Sequence, residues 1–326
     1  MTEIKQKSGF GKFTLVVLLI LLAVSVSGCK GKAKECPVVV SQTDAIKILS
    51  FSSGYEDVPV GGSVRLSMDL QNGGNYEATD ITADLWSHPG FGLGNDETQQ
   101  VKPVPTLYPP DLSICSEGDA YSVQWDMQAG CDPRESIVAA SVSYMYKSEG
   151  WASVLLMSQE EAERLGGQTG GTGENFPSAG PVQIEIESLR NQPLIISENA
   201  KSFSIRLKIR NTGDGLAGYK GSGYMGETTL TLAGPCNFTE ENNKELTYDD
   251  AELQLRFGKQ DLIKTLSLNY NGNMNFVKDF CTISVVSNYG YRVTEQLKGK
   301  FGIYGSSGEI TNCRKKLTNP GIEDSV

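Results

Sequence analysis

Histidine is nearly absent: His88 is the one imidazole in 326 residues. Metal centres built from two or three histidines are therefore excluded. His88 sits in Ser87-His88-Pro89-Gly90, with no nucleophile and orienting carboxylate spaced to serve it as a general base. It reads as an exposed loop residue. Positive charge is also scarce. Lys and Arg total 29 against 39 Asp and Glu, a formal net charge of −10, so nucleic acid and anionic headgroups should be repelled. Only Arg314-Lys315-Lys316 forms a basic run. No C-x-x-C pair and no G-x-x-x-x-G-K-[ST] loop occurs, which removes thiolate zinc sites and a P-loop nucleotide site. No apolar run reaches the roughly twenty residues of a spanning helix.

The longest such run, Phe13–Val26, holds 14 uncharged residues. Lys5, Lys7 and Lys12 precede it, and small residues follow. A cationic start, a short apolar stretch and a small-residue exit read as an export signal. The exit Val26-Ser27-Gly28-Cys29 resembles the lipobox of prokaryotic lipoproteins. That resemblance implies lipidation at Cys29 and a body held on the extracytoplasmic side of a membrane. An uncleaved anchor and a plain signal peptide are the other readings.

Seven cysteines are present. If Cys29 carries lipid, six remain, and an exported body permits disulfides. Six thiols allow fifteen pairings. Local pairing joins Cys115 to Cys131 and Cys236 to Cys281. It leaves Cys36 and Cys313 to meet only if the ends of the mature chain meet.

Thirty-six glycines and thirteen prolines punctuate short β-branched segments, the pattern of an all-β chain. Residues 1–29 read as signal or anchor and 30–35 as a tether. Residues 36–165 read as a first β-sandwich domain, 166–180 as a Gly-rich linker, 181–313 as a second sandwich and 314–326 as a polar tail. In Ser63–Leu70, Val64, Leu66, Met68 and Leu70 share one face, a strict period of two. Ile81–Trp86 and the segment around Trp125 alternate likewise. Ile137–Tyr146 and Trp151–Met157 read as a hairpin about Ser148-Glu149-Gly150, and Tyr289–Phe301 as a final strand pair. Ser87–Leu112 reads as a long loop. Ser158 and Glu161 are spaced as a capping box, which predicts a short helix at Gln159–Leu165.

The halves share an order of features. Ser63–Leu70 followed by a turn at Asn72-Gly73 matches Phe203–Ile209 followed by a turn at Asn211-Thr212-Gly213. Each half ends in Tyr-x-Tyr: Tyr144-Met145-Tyr146 and Tyr289-Gly290-Tyr291. These segments, about Ser63–Trp86 and Phe203–Leu232, resemble the CARDB and Ig-like sandwich repeats of prokaryotic, notably archaeal, envelope proteins. The resemblance implies two tandem Ig-like antiparallel sandwiches serving as an extracytoplasmic binding, spacer or assembly module, and it carries over no catalytic residue.

Few side chains stand out as sites. Glu240, Glu241, Glu245, Asp249, Asp250 and Glu252 cluster without EF-hand spacing. They read as a solvated acidic loop, with calcium the one cation they would suit; no cofactor is otherwise expected. Asn237-Phe238-Thr239 is a glycosylation sequon. The tyrosines of the Tyr-x-Tyr pairs read as packing residues in the sheet, and Trp86 and Trp151 likewise. Phe91 and Tyr108, in the long loop, are the expected surface contacts. Together these features describe a non-catalytic, membrane-anchored binding, adhesion or spacer protein whose partner is an envelope protein or glycan. An exported carbohydrate-active hydrolase is the alternative, and a surface filament or layer subunit the third.

Overall fold

The computed structural model describes residues 38–318 apart from 89, 93–99, 167–173, 178, 219–224, 241, 250–251, 256–260 and 298–300. The leader, Cys29, the tether, Cys36, Glu241, Asp250 and residues 319–326 lie outside the described residues. Val38–Val326 makes one compact unit, a β-sandwich-like all-β body. Among the described residues no helix is long and apolar enough to cross a membrane.

The first half supplies β1 (Ile46–Ser53), β2 (Asp57–Pro59), β3 (Ser63–Asn72), β4 (Thr79–Ser87) and β5 (Phe91–Gly92). It continues with β6 (Val101–Val104), β7 (Ala120–Ala129), β8 (Arg134–Ser136) and β9 (Ala139–Ser158). Helix α1 (Gln159–Arg164) follows, capped as expected by Ser158, whose side chain accepts from Glu161 N. Next come β10 (Asn175–Phe176), β11 (Val182–Ser188), β12 (Leu194–Ile196), β13 (Ser202–Asn211) and β14 (Leu216–Ala217). Then β15 (Thr228–Ala233), β16 (Cys236–Phe238), β17 (Glu245–Tyr248), β18 (Leu262–Tyr270), β19 (Lys278–Gln296) and β20 (Phe301–Tyr304) lead to helix α2 (Ser307–Thr318).

One strand order occurs twice. The first half forms the four-stranded sheet β1-β3-β7-β5, and the second forms β11-β13-β18-β16. The large sheet, β17-β15-β19-β9-β4-β6, draws three strands of its main path from each half. Its centre is the antiparallel pair β9–β19, in register from Lys278↔Met157 to Gln296↔Ala139. Met145 faces Gly290 in this ladder, and the two Tyr-x-Tyr motifs flank that point, so a pseudo-twofold axis passes through the Met145–Gly290 pair. The buried rows of the small sheets and of the large sheet belong to one continuous hydrophobic cluster. Strict alternation explains this: β3 buries Val64, Leu66, Met68 and Leu70, and β13 buries Phe203, Ile205, Leu207 and Ile209.

Polar contacts repeat with the strands. Asn72 donates from Nδ2 to Tyr76 O at 2.8 Å and accepts at Oδ1 from Gly74 N at 3.0 Å. Asn211 donates to Gly215 O at 3.0 Å and accepts from Gly213 N at 3.2 Å. Tyr144 Oη accepts from Ile46 N at 3.4 Å, and Tyr289 Oη accepts from Val182 N at 3.3 Å. Tyr146 accepts from Tyr76 N at 3.0 Å, and Tyr291 donates to Asn211 Oδ1 at 2.9 Å. A Cβ on Gly74 would overlap Tyr146 Oη, and one on Gly213 would overlap Tyr291 Oη, so glycine is required at both turns. The four tyrosines pack edge-on or tilted, with centroids 5.8–6.4 Å apart, at the seam of the halves.

Several expectations are corrected. The expected hairpin about Ser148-Glu149-Gly150 is one 20-residue strand, β9. Its inward row, Tyr144, Tyr146, Ser148, Gly150, Ala152, Val154 and Leu156, never changes phase, so nothing reverses the chain. Gly150 sits where β11 crosses: a Cβ there would lie 2.6 Å from Ile184 O. The final pair at Tyr289–Phe301 is likewise largely the continuous β19. Within the Gly-rich stretch 166–180, Asn175–Phe176 adds to β9 as β10. The polar tail begins as helix α2, opened by a reciprocal capping box: Ser306 N donates to Glu309 Oε2 at 2.6 Å and Glu309 N to Ser306 Oγ at 3.4 Å.

Cys236 pairs with Cys281, Cα–Cα 6.0 Å, as expected, and so ties β16 of the small sheet to β19 of the large one. The expected Cys115–Cys131 pair does not form. Cys131 bonds Cys313 at a Cα–Cα distance of 5.5 Å, across 182 residues; Cys115 is disulfide-bonded as well. The reason is topological. β20 returns to the first half and inserts between β2 and β8, which carries α2 to Cys131. Arg314 adds a 2.6 Å contact to Asp132.

Two predictions follow from the seam and the clasp. Burial, above all, raises the pKa of Tyr144, Tyr289, Tyr291 and Tyr146. Their unfolded value is about 10. A phenol with a raised folded pKa keeps its full stabilising effect below about pH 10 and loses it as the unfolded chain ionises above that. Denaturant midpoints should be flat from pH 7 to 9 and fall steeply from about pH 10; a flat profile to pH 11.5 would contradict the buried seam. Cross-linking over 182 residues is worth up to about 5 kcal/mol in the chain-entropy account. The double variant Cys131→Ser/Cys313→Ser should therefore unfold at clearly lower denaturant than the parent, and an unchanged midpoint would contradict the clasp.

Candidate functional site

Residues on β9 and β19 alternate between the tyrosine seam and the opposite face of the large sheet. On that opposite face Ser143 pairs across the ladder with Arg292, and Met145 with Gly290. Glycine at 290 leaves nothing opposite Met145, so the sheet dips there. Two cavities, about 640 and 800 Å³, flank the dip and share Asp80 and Met145. They form one trough. Tyr76, Tyr108, Pro109, Lys147 and Asn288 line one lobe. Thr82, Asp84, Val101, Ser143 and Arg292 line the other. Lys147 and Arg292 follow their Tyr-x-Tyr motifs at equivalent places, so the repeat puts one cation in each lobe.

Each cation has a partner. Lys147 Nζ lies 2.5 Å from Glu149 Oε1 and 4.4 Å from the centroid of the Tyr76 ring. The Lys147 ammonium holds Glu149 below the usual carboxylate range. Burial, helped by Glu149, pushes the Tyr76 hydroxyl up to about 12. Arg292 donates from Nε to Ser141 Oγ at 3.3 Å and lies 3.9 Å from Asp84 Oδ2. Asp84 Oδ1 is enclosed and accepts no hydrogen bond. A buried acceptor without a donor costs about 1–3 kcal/mol, which makes it notable beside a cavity.

Asp80 is the other anomaly. It has φ +50°, left-handed for a non-glycine residue, and lies where the β4–β9 register shifts between Thr79 and Thr82. A bulge there turns Asp80 out of the ladder and toward both lobes. Strain of this kind gathers at functional sites.

The residues expected as contacts fare differently. Tyr108 is exposed and lines the trough. Phe91 is not a surface residue: it is 6% exposed, because β5 pairs with β7 and turns it into the core. His88 Nδ1 lies 3.0 Å from Phe91 O within that turn, so the histidine has a structural contact. Asn237 sits in β16 and donates from Nδ2 to Asn242 O at 3.0 Å and to Asn242 Oδ1 at 3.2 Å; the nitrogen that would carry a glycan is held. Trp125 is fully buried, with Nε1 donating to Gln100 O at 3.0 Å. Trp86 is exposed, against expectation, and Trp151 stacks on Phe176 at 4.3 Å but stays partly open. Among the described residues no group of acids, cysteines or histidine is arranged to hold a metal. Asp80, Asp84, Lys147 and Arg292 escape a reading by motif. The one sequence signal was that Tyr144-Met145-Tyr146-Lys147 and Tyr289-Gly290-Tyr291-Arg292 share a basic fourth residue.

No family model matches the chain, and no curated protein matches it. Among solved structures it is similar to the secreted serine protease VesC from Vibrio cholerae, with 9% identity and TM-score 0.17, covering 77% of this chain and 51% of that one. It spans about half of that protein. It is also similar to infectious bursal disease virus, Gt strain (8% identity, TM-score 0.10, 85% and 89% covered). The collagen adhesin CNA from S. aureus gives 9% identity, TM-score 0.09, and 82% and 94% covered. At these scores none carries an argument about fold or function.

The strain at Asp80 is open to test. Asp80→Gly should leave stability unchanged or raise it by up to about 1 kcal/mol, since glycine adopts positive φ without a steric cost. Asp80→Val should lower it by about 1–3 kcal/mol. Equal midpoints for the two variants in urea would show the backbone at 80 to be unstrained.

Proposed function

We propose that this chain is a membrane-anchored, extracytoplasmic binding protein of the cell envelope, built from two Ig-like sandwich modules fused through a shared sheet, and that it binds rather than transforms its partner. The observation that carries the reading is the trough at Met145–Gly290: a concave site on the face away from the tyrosine seam, lined by a left-handed Asp80 and by the Asp84–Arg292 pair. Export and anchoring rest on the leader at Phe13–Cys29, and the disulfides are in keeping with an oxidising compartment. The extensive ladder between the halves suits a rigid display platform.

Two measurements test the reading. Mass spectrometry of the mature protein should find Cys29 lipidated and first in the chain; an intact Met1 would end the anchoring proposal as stated. Full-length protein in detergent should retain an envelope component on a column, and Ser143→Trp, which fills the trough from an outward-facing position, should release it. Equal retention by parent and variant would remove the trough from the function.

A further inference from the structure

We infer that the trough takes an uncharged polyhydroxylated chain, a neutral glycan segment, lying across the pseudo-twofold axis. The inference rests on the binding reading above and names its ligand class.

Three observations lead to it. The first is charge. Both cations in the trough are already matched, Lys147 to Glu149 at 2.5 Å and Arg292 to Asp84 at 3.9 Å. A polyanion would have to break those contacts and approach Glu77, Asp80 and Asp84, which also line the trough, within a body of net charge −10. The second is the state of the backbone. The floor is made by β4, β9 and β19, which are interior strands hydrogen-bonded on both sides. A peptide could not add there as a further strand, so recognition must come from side chains. The third is what those side chains offer. Thr82 and Ser143 present hydroxyls and Asn288 an amide. At the mouth Tyr108 stands 58% exposed beside Pro109, a flat apolar surface of the kind that covers the C–H face of a pyranose ring. Apolar stacking at one end and convergent hydrogen-bonding groups along the rest is the division of labour of a small-molecule site. The repeat adds a reason for a polymer: its two lobes place Lys147 and Arg292, and Asn288 and Ser143, in equivalent positions about Met145, so successive units of one chain meet similar surroundings.

The test is native affinity electrophoresis of the full-length protein in detergent. Gels carry soluble neutral polysaccharides in turn (mannan, a β-glucan, an α-glucan, a galactan) or the polyanion polygalacturonate. At least one neutral polymer should retard the protein, and polygalacturonate should not. Tyr108→Ala, a surface change that leaves the core intact, should weaken the retardation at least tenfold. Retardation by no neutral polymer, retardation by polygalacturonate alone, or retardation indifferent to Tyr108→Ala would each overturn the inference. The column experiment with Ser143→Trp separates the two claims. If the trough holds an envelope protein while no polysaccharide retards the chain, the glycan is wrong and the binding role stands. If neither is seen, both fall.

Discussion

The fold depends on one ladder. β9 and β19 pair antiparallel over nineteen residue positions, about 60 Å of strand at the usual rise. Everything else is arranged about that seam. It fuses two strand sets of one order into a single large sheet, brings two Tyr-x-Tyr motifs face to face, and fixes where the opposite face dips. A slip of one residue in either strand would turn its two tyrosines outward and its trough residues inward. The hydroxyls of Tyr144 and Tyr289 accept from the first backbone amides of β1 and β11, so the register of the large sheet also sets the height at which each small sheet begins.

Much of this was written in the sequence, and the losses have physical reasons. Alternation in Ser63–Leu70, Ile81–Trp86 and Phe203–Ile209 gave strands and buried faces correctly, because a half-buried strand imposes that pattern directly. Ser148-Glu149-Gly150 misled, because its composition suits a turn. Phase was the better guide, since Ser148 and Gly150 occupy inward positions between Tyr146 and Ala152. The Ser306–Glu309 capping box was a local signal for α2 that the polar composition of the tail obscured. Cys131 and Cys313 could not be matched from spacing, because what joins them is the return of β20 to the first half.

The trough was the least legible part. Tyr108 was found through its setting in a loop rich in proline. Asp80 and Asp84 belong to an ordinary-looking strand, and only the bulge at Thr79–Thr82 distinguishes them. Lys147 and Arg292 are remote in sequence and become equivalent only once the halves are paired. Phe91 shows the converse error: an aromatic residue in an irregular stretch was taken as open, and two residues of pairing with β7 were enough to bury it.

The position of β20 bears on how the molecule is made. The first half holds the earlier strands of the chain, yet β2 and β8 stay apart until the last strand arrives between them, and Cys131 waits on a thiol 182 residues downstream. A polypeptide made with its beginning first cannot finish that end until its far end has been made. The nascent chain must therefore pass through a stage with two open strand edges and an unpaired thiol, the state in which a folding chain is most exposed to edge-to-edge association.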